Sequence, residues 1–166
     1  MVTKIDSLPH PLSEAPDDFT KLAAHWDGLR HGRKYPARRD IDPLALPSYM
    51  GSMCILEVRD DPLDFVYRLF GTTLAGYMDM ELTGKSILEF PPRALGRHLF
   101  TQIADTIRAG EPRYFRTLVS YNVPPRQSGS HRIILPLSED GARINRILTY
   151  TRVDPAIPNF WSRIPQ

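Results

Sequence analysis

Apolar residues recur along this chain at two periods, and the switches between them divide it into elements. Phe19, Leu22, Ala23, Trp26 and Leu29 follow the i, i+3, i+4, i+7 spacing of a helix with one buried stripe. Asp17 and Asp18 suit its positive N-terminal end, and Gly32 offers a left-handed stop, so the pattern predicts an amphipathic helix over 16–32. Two runs of period two follow, "SMCILEV" and "DFVYRLFGT", joined across Asp60-Asp61-Pro62-Leu63 as a hairpin. In the second run Phe65, Tyr67 and Leu69 share one face. Val66, Arg68 and Phe70 share the other, which the arginine assigns to the outside.

"TTLAGYMDMELTGKSILEF" reads as short helices interrupted at Gly76 and Gly84. Pro91-Pro92 then opens a long helix over about 93–109, closed by Gly110. On a helical wheel Leu99, Gly96, Ile103, Ile107 and Phe100 form its buried side, which turns Arg97, Asp105 and His98 to solvent. Three more strand patterns complete the series: "RYFRTLVSY", "HRIILPLS" and "RINRILTYTRV". Ser128-Gly129-Ser130 and Glu139-Asp140-Gly141-Ala142 are the intervening turns. Consecutive hairpins imply an α+β fold: a five-stranded antiparallel sheet whose halves are connected by the long helix.

The flanks differ from this core. Residues 1–15 read as an extended tail and 154–166 as a proline-rich one; the 16 prolines concentrate in the first third and at the C-terminus. "HGRKYPARRDIDPLALPSYMG" reads as a connector with one helical turn, Asp42 capping it and Pro43 in its first position.

Composition narrows the function. A chain of 166 residues with 42% hydrophobic and 24% charged residues is about one globular domain. No apolar run near the N-terminus resembles a signal peptide, and none elsewhere could span a bilayer, so the expected location is cytoplasmic. The single cysteine, Cys54, excludes an internal disulfide, and no Cys/His spacing suggests zinc. Net charge is +2, and only four cations are lysines, which invites a phosphate or nucleic-acid reading. The basic run Arg30–Arg39, with Arg33, Lys34 and Arg38, is its best support. Gly32 and Pro36 break that run, and a solvated connector is the favoured reading.

"ELTGKS" ends like a phosphate-binding loop. The leading glycine of G-x-x-x-x-G-K-[ST] falls on Asp79, whose carboxylate would repel the anion. Gly84 is instead a bend and Lys85 a surface cation. No nucleophile elbow, H-E-x-x-H phrase or Cys/His pair is present, and Asp60-Asp61 belongs to a turn, so no catalytic site is expected.

The order of elements, two strands, small helices, a connecting helix and three strands, resembles that of the PAS domain, a bacterial sensor module. "FVYRLFGTTLAGYMDMELTGKSILEF" resembles the PAS passage from the second strand through the small helices, and "IRAGEPRYFR" the exit from the long helix. A leading helix ending in an LR-x-GR phrase, then P-x-R-x-D-x-dP and YR-x-x-GT phrases, resembles a stand-alone alphaproteobacterial PAS subgroup. The likeness covers about residues 19–153, and it places a PAS-like domain at 33–153 behind the leading helix.

The resemblance implies a curved sheet whose concave face, with the helices, encloses a pocket for a small apolar or amphipathic ligand. By alternation, Tyr67, Tyr77, Phe100, Ile103, Phe115, Thr117, Val119, Tyr121 and Ile133 are the candidate ligand contacts, with Ile55 and Phe65 beside them. For any one of them simple core packing is the commoner reading; Tyr67, Thr117 and Tyr121 stand out because a hydroxyl facing an apolar interior needs a partner. Haem is disfavoured because His98, on the helix that haem-binding members use, should face solvent. Flavin and covalent chromophores are disfavoured because the small-helix region lacks their cysteine phrase. His131, at the start of a strand, could bond a carboxylate but reads more simply as a strand-edge residue. The cofactor is therefore unknown.

A sensor with no effector segment after Val153 would act by contact with a signalling protein or as a homodimer. Phe19, Leu22 and Trp26 are the candidate dimer interface, although the same helix could simply cap its own sheet. Phe160 and Trp161 are a second candidate contact. Two rival readings stand beside the sensor: a structural adaptor whose pocket is filled by side chains, and nucleic-acid binding through Arg30–Arg39.

Overall fold

The computed structural model describes residues 1–122 and 125–154. Its centre is one antiparallel sheet in the order β1-β4-β5-β6-β2-β3. The strands are β1 (Val2–His10), β2 (Met53–Arg59), β3 (Asp64–Phe70), β4 (Arg113–Asn122), β5 (Pro125–Leu137) and β6 (Arg146–Val153). Helices α1 (Asp17–Gly28), α2 (Thr72–Met78) and α3 (Arg93–Ala109) flank it.

The five expected strands are present, and a sixth joins them. Residues 2–10 are not a free tail: β1 pairs with β4 from Val2↔Tyr121 to His10↔Tyr114. The segment carries Lys4, Asp6 and Pro9, a composition that a sheet edge tolerates and a central strand does not. At the other edge, Tyr67 of β3 donates its N–H to the Lys85 carbonyl at 3.0 Å, and its own carbonyl accepts from the Gly84 N–H at 2.7 Å. The "TGKS" segment thus covers part of an exposed edge, with Gly84 at φ +85°, a conformation that glycine adopts without penalty.

Helix α1 lies on the outer face of the sheet and buries Phe19, Leu22, Ala23 and Trp26. The Phe19 ring packs on Tyr150 at 4.8 Å and Tyr114 at 5.6 Å between centroids. At the first turn, the Asp18 carboxylate accepts from the Tyr150 hydroxyl at 2.9 Å and from Arg152 at 2.7 Å. Burial and this bond to Asp18 push the Tyr150 phenol up to about 12. Phe19, Leu22 and Trp26 are at most 5% exposed, so the expected dimer interface is consumed by the chain's own sheet.

Three other expectations are corrected. Between Ile55 and Leu56 the β2–β3 register slips, with Ile55 opposite Leu69 and Leu56 opposite Tyr67. Arg68 takes the extra position, so the alternation reverses and Phe70 points inward beside Tyr67. Ser128-Gly129-Ser130 is not a turn but part of β5, paired with Val119, Leu118 and Thr117. The buried stripe of α3 is rotated: it contains Leu95, Gly96, Leu99, Ile103 and two polar residues, Gln102 and Thr106. Gln102 can be buried because its amide is satisfied by hydrogen bonds on both sides, as described below.

The connector from 33 to 52 is a chain of short 3-10 turns, one of them capped by Asp42, whose carboxylate accepts from the Leu44 N–H at 2.9 Å. The basic run is largely occupied within it. Arg33 pairs with Asp40, Arg30 with Asp27, and Arg39 with Glu139, while Arg38 bonds the Ile41 carbonyl.

Candidate functional site

The inner face of the sheet and helices α2 and α3 enclose a cavity of about 70 Å³. Strand alternation sets most of its lining. Cys54 and Leu56 of β2 face in beside Tyr67 and Phe70 of β3, and Thr149 and Thr151 of β6 lie opposite Ile134 and Arg132 of β5. Ser128 and Ser130 continue the β5 wall. Leu74, Tyr77 and Met78 close it from α2, and Leu95, Leu99 and Ile103 from α3. Gly96 permits this approach: a Cβ there would sit 2.7 Å from the Ile87 carbonyl oxygen.

Arg132 is the one charge in this lining. The residue keeps partial exposure, and desolvation lowers its pKa. Arginine nonetheless stays protonated at any physiological pH. Its Nε donates to Thr151 Oγ1 at 2.9 Å and its Nη1 to Gln102 Oε1 at 3.2 Å. Among the described residues no Asp or Glu pairs with it, and its Nη2 has no hydrogen-bond partner. The groups that act on it electrostatically are Tyr67 and Cys54. Burial drives both of their pKa values upward, Cys54 to about 11, so both are neutral. The Tyr67 hydroxyl likewise has no hydrogen-bond partner among the described residues.

Gln102 carries the polar network outward from Arg132. Its amide nitrogen donates to Ser7 on β1 at 2.7 Å and lies 3.3 Å from Thr117 and 3.2 Å from His98 Nε2. Ser7 and Thr117 bond each other at 2.9 Å. Burial, reinforced by Arg132, lowers the His98 pKa, and the neutral ring suits Nε2 as an acceptor. His98 is thus half-buried rather than turned to solvent, and it does not line the cavity.

Of the candidate contacts read from the sequence, Tyr67, Tyr77, Ile103 and Val119 line the cavity. Phe115, Thr117 and Tyr121 are buried elsewhere along β4. Phe100 packs on Phe65 at 4.8 Å, away from the void. Ile133 is on the opposite face: it pairs with Tyr114 and Tyr150, the two rings under α1. Its neighbour Arg132 takes the inward position, because β5 is apolar toward both faces and its parity cannot be read from hydrophobicity. His131 also lies on the outer face, its Nδ1 2.6 Å from the Tyr114 hydroxyl. Phe160 and Trp161 fall outside the described residues.

The volume bears on the ligand class. Pockets for drug-sized molecules span about 300–1,000 Å³, several times this void. Among the described residues no three His, Cys, Asp or Glu side chains gather as a metal site.

An antiparallel sheet of this strand order, with α2 and α3 closing its concave face over a cavity, is the architecture of a sensor module. A family model described as "PAS domain" matches residues 16–150. The chain belongs to the PAS domain family. Among solved structures it is similar to one described as "Structure of an RNA-binding Light-Oxygen-Voltage Receptor", with a TM-score of 0.49 and 13% identity. That match covers 91% of this chain and 39% of the receptor, so the chain spans about two fifths of that protein's length. None of the curated proteins compared with the chain matches it.

Proposed function

We propose that this PAS domain is a non-catalytic sensor that takes up a small molecule between β5, β6 and α3 and signals through protein contacts. The observation that carries the reading is a residual cavity of about 70 Å³ lined by one charged residue, Arg132, whose side-chain hydrogen bonds go to the neutral Thr151 and Gln102. A core filled by side chains alone would leave no such void and would not set an unbalanced charge on its wall. The network Arg132–Gln102–Ser7 supplies a route from the cavity to β1 at the sheet edge, a surface where a partner could respond. A cytoplasmic setting and a signalling partner are part of this reading, and the single unpaired Cys54 accords with a reducing compartment.

Denaturing extraction of the purified protein, followed by mass spectrometry, tests it. A stoichiometric small molecule, or a library compound that raises Tm in proportion to its concentration, supports a sensor. A protein that releases nothing and whose Tm no compound shifts is a structural adaptor instead.

A further inference from the structure

We infer that the cavity is built for a short-chain monocarboxylate of about two or three carbons, with its carboxylate on Arg132 and its alkyl end among the apolar residues of α2 and α3. The inference rests on the cavity being a ligand site and adds the chemical class.

Charge decides the head group. A cation drawn out of water is costly unless an anion compensates it, and proteins usually supply that anion themselves. Here the partners of Arg132 are a threonine hydroxyl and an amide oxygen, both neutral. The other polar neighbours, Tyr67 and Cys54, cannot supply the charge, because burial holds both in their protonated forms. One guanidinium balances one negative charge; a phosphate dianion would leave an excess charge in an otherwise uncharged lining. Arg132 Nη2 and the Tyr67 hydroxyl are two donors without protein acceptors, and a carboxylate offers two acceptor oxygens.

Volume decides the tail. A cavity of about 150 Å³ admits benzene. One of about 70 Å³ is roughly half that, so its occupant must be smaller than benzene: a carboxylate with at most a short alkyl end of one or two carbons. Leu74, Met78, Leu95 and Leu99 provide the apolar surface that distinguishes a fatty acid of this length from chloride or another inorganic anion.

The test uses the full chain and sodium propionate, with propionamide as the neutral isostere and sodium chloride as the ionic control. Propionate should raise Tm in a saturable manner, by about 5–10 °C at a concentration a hundredfold above its Kd. Propionamide and chloride should not. Arg132→Met removes a cation that lacks a counter-ion, so the variant should fold, and its propionate affinity should fall by tenfold or more on the order-of-magnitude scale of such pairs. Arg132→Lys, which keeps the charge, should retain part of the response. Equal stabilisation by propionamide, or an undiminished response in Arg132→Met, overturns the anion assignment while leaving the ligand site standing. If propionate has no effect yet extraction yields a neutral compound, the assignment also fails and the sensor reading survives. If neither yields a ligand, both fail together.

Discussion

The indole nitrogen of Trp26 donates to the carbonyl of Pro136 at 2.8 Å, joining the leading helix to a central strand across 110 residues. Pro136 lies beyond the last β4–β5 pair, Arg113↔Ile134, so its missing N–H breaks no bond on that side, and its carbonyl is free for the helix. Trp26→Phe keeps most of the apolar contact but leaves that carbonyl buried without a donor. It should cost about 1–3 kcal/mol, measured by urea unfolding. Trp26→Ala also opens a void and should cost about 3–5 kcal/mol. Equal stability of Trp26→Phe and the wild type would show that water or a shift of the helix replaces the bond.

Titration of the histidines gives a pH dependence with a definite sign. Burial is the main cause that lowers the pKa of both His98 and His131 below 6.5; Arg132 adds to it at His98, Arg152 and Arg116 at His131, where Asp154 and Asp18 oppose. The unfolded chain therefore binds protons first as the pH falls, and stability must decline from about pH 7 toward pH 5. Asp40 and Glu57, held below the usual carboxylate range mainly by bonds to the Ala37 N–H and to Arg68, contribute their loss only at lower pH. Urea midpoints at pH 5, 6 and 7 measure the slope. His98→Asn should flatten it, and a wild-type midpoint that rises on acidification contradicts the assignment.

The sequence made the architecture legible wherever burial was one-sided. The alternation in β3 and the period of α3 located both elements; Gly110 marked the end of α3, and Asp42 the start of the 3-10 turn Pro43–Ala45. It misled where a rule of thumb met a local exception. Strand β1 looked like a tail because Pro9 and its charges suit an edge, and its pairing partner, β4, lies over a hundred residues away. Ser128, Gly129 and Ser130 looked like a turn because small polar residues beside a cavity have a turn's composition. Arg132 was passed over because a charged strand residue normally faces water. The available signal was that Ile133, Ile134 and Leu135 make both faces of this part of β5 apolar, so an arginine beside them has an inward position open to it. Gln102 carried no such signal, since a glutamine among apolar helix positions reads as exposed until its partners are known.

The junction of β3 and α2 is tightly packed. A Cβ at Gly71 would lie 2.3 Å from the Gly51 carbonyl oxygen and 2.7 Å from that of Met53, both main-chain atoms that cannot swing away. Gly71→Ala should therefore destabilise by about 1–3 kcal/mol, and by more if β2 cannot yield. Gly28, at the end of α1 with nothing within 4 Å of its Cβ position, is the matched control. Gly28→Ala should be neutral or slightly stabilising. Thermal melts of the two variants separate crowding from the general effect of adding a methyl group.

Cys54 offers a direct reading of how often the cavity opens. The residue is 4% exposed and lines the void, and its thiol is pushed up to about 11 by burial. At pH 8 roughly one molecule in a thousand would carry the reactive thiolate, against about a quarter for an ordinary exposed thiol. A disulfide reagent added to the native protein should thus label it slowly, at a rate set by opening of the fold, and completely in urea. An occupant bonded to Arg132 and Tyr67 would sit between Cys54 and the reagent, so a ligand that raises Tm should slow labelling in the same concentration range. Fast, stoichiometric labelling of the native chain at pH 8 would mean that the wall formed by α2 already stands open, and that entry to the cavity does not wait on a conformational step.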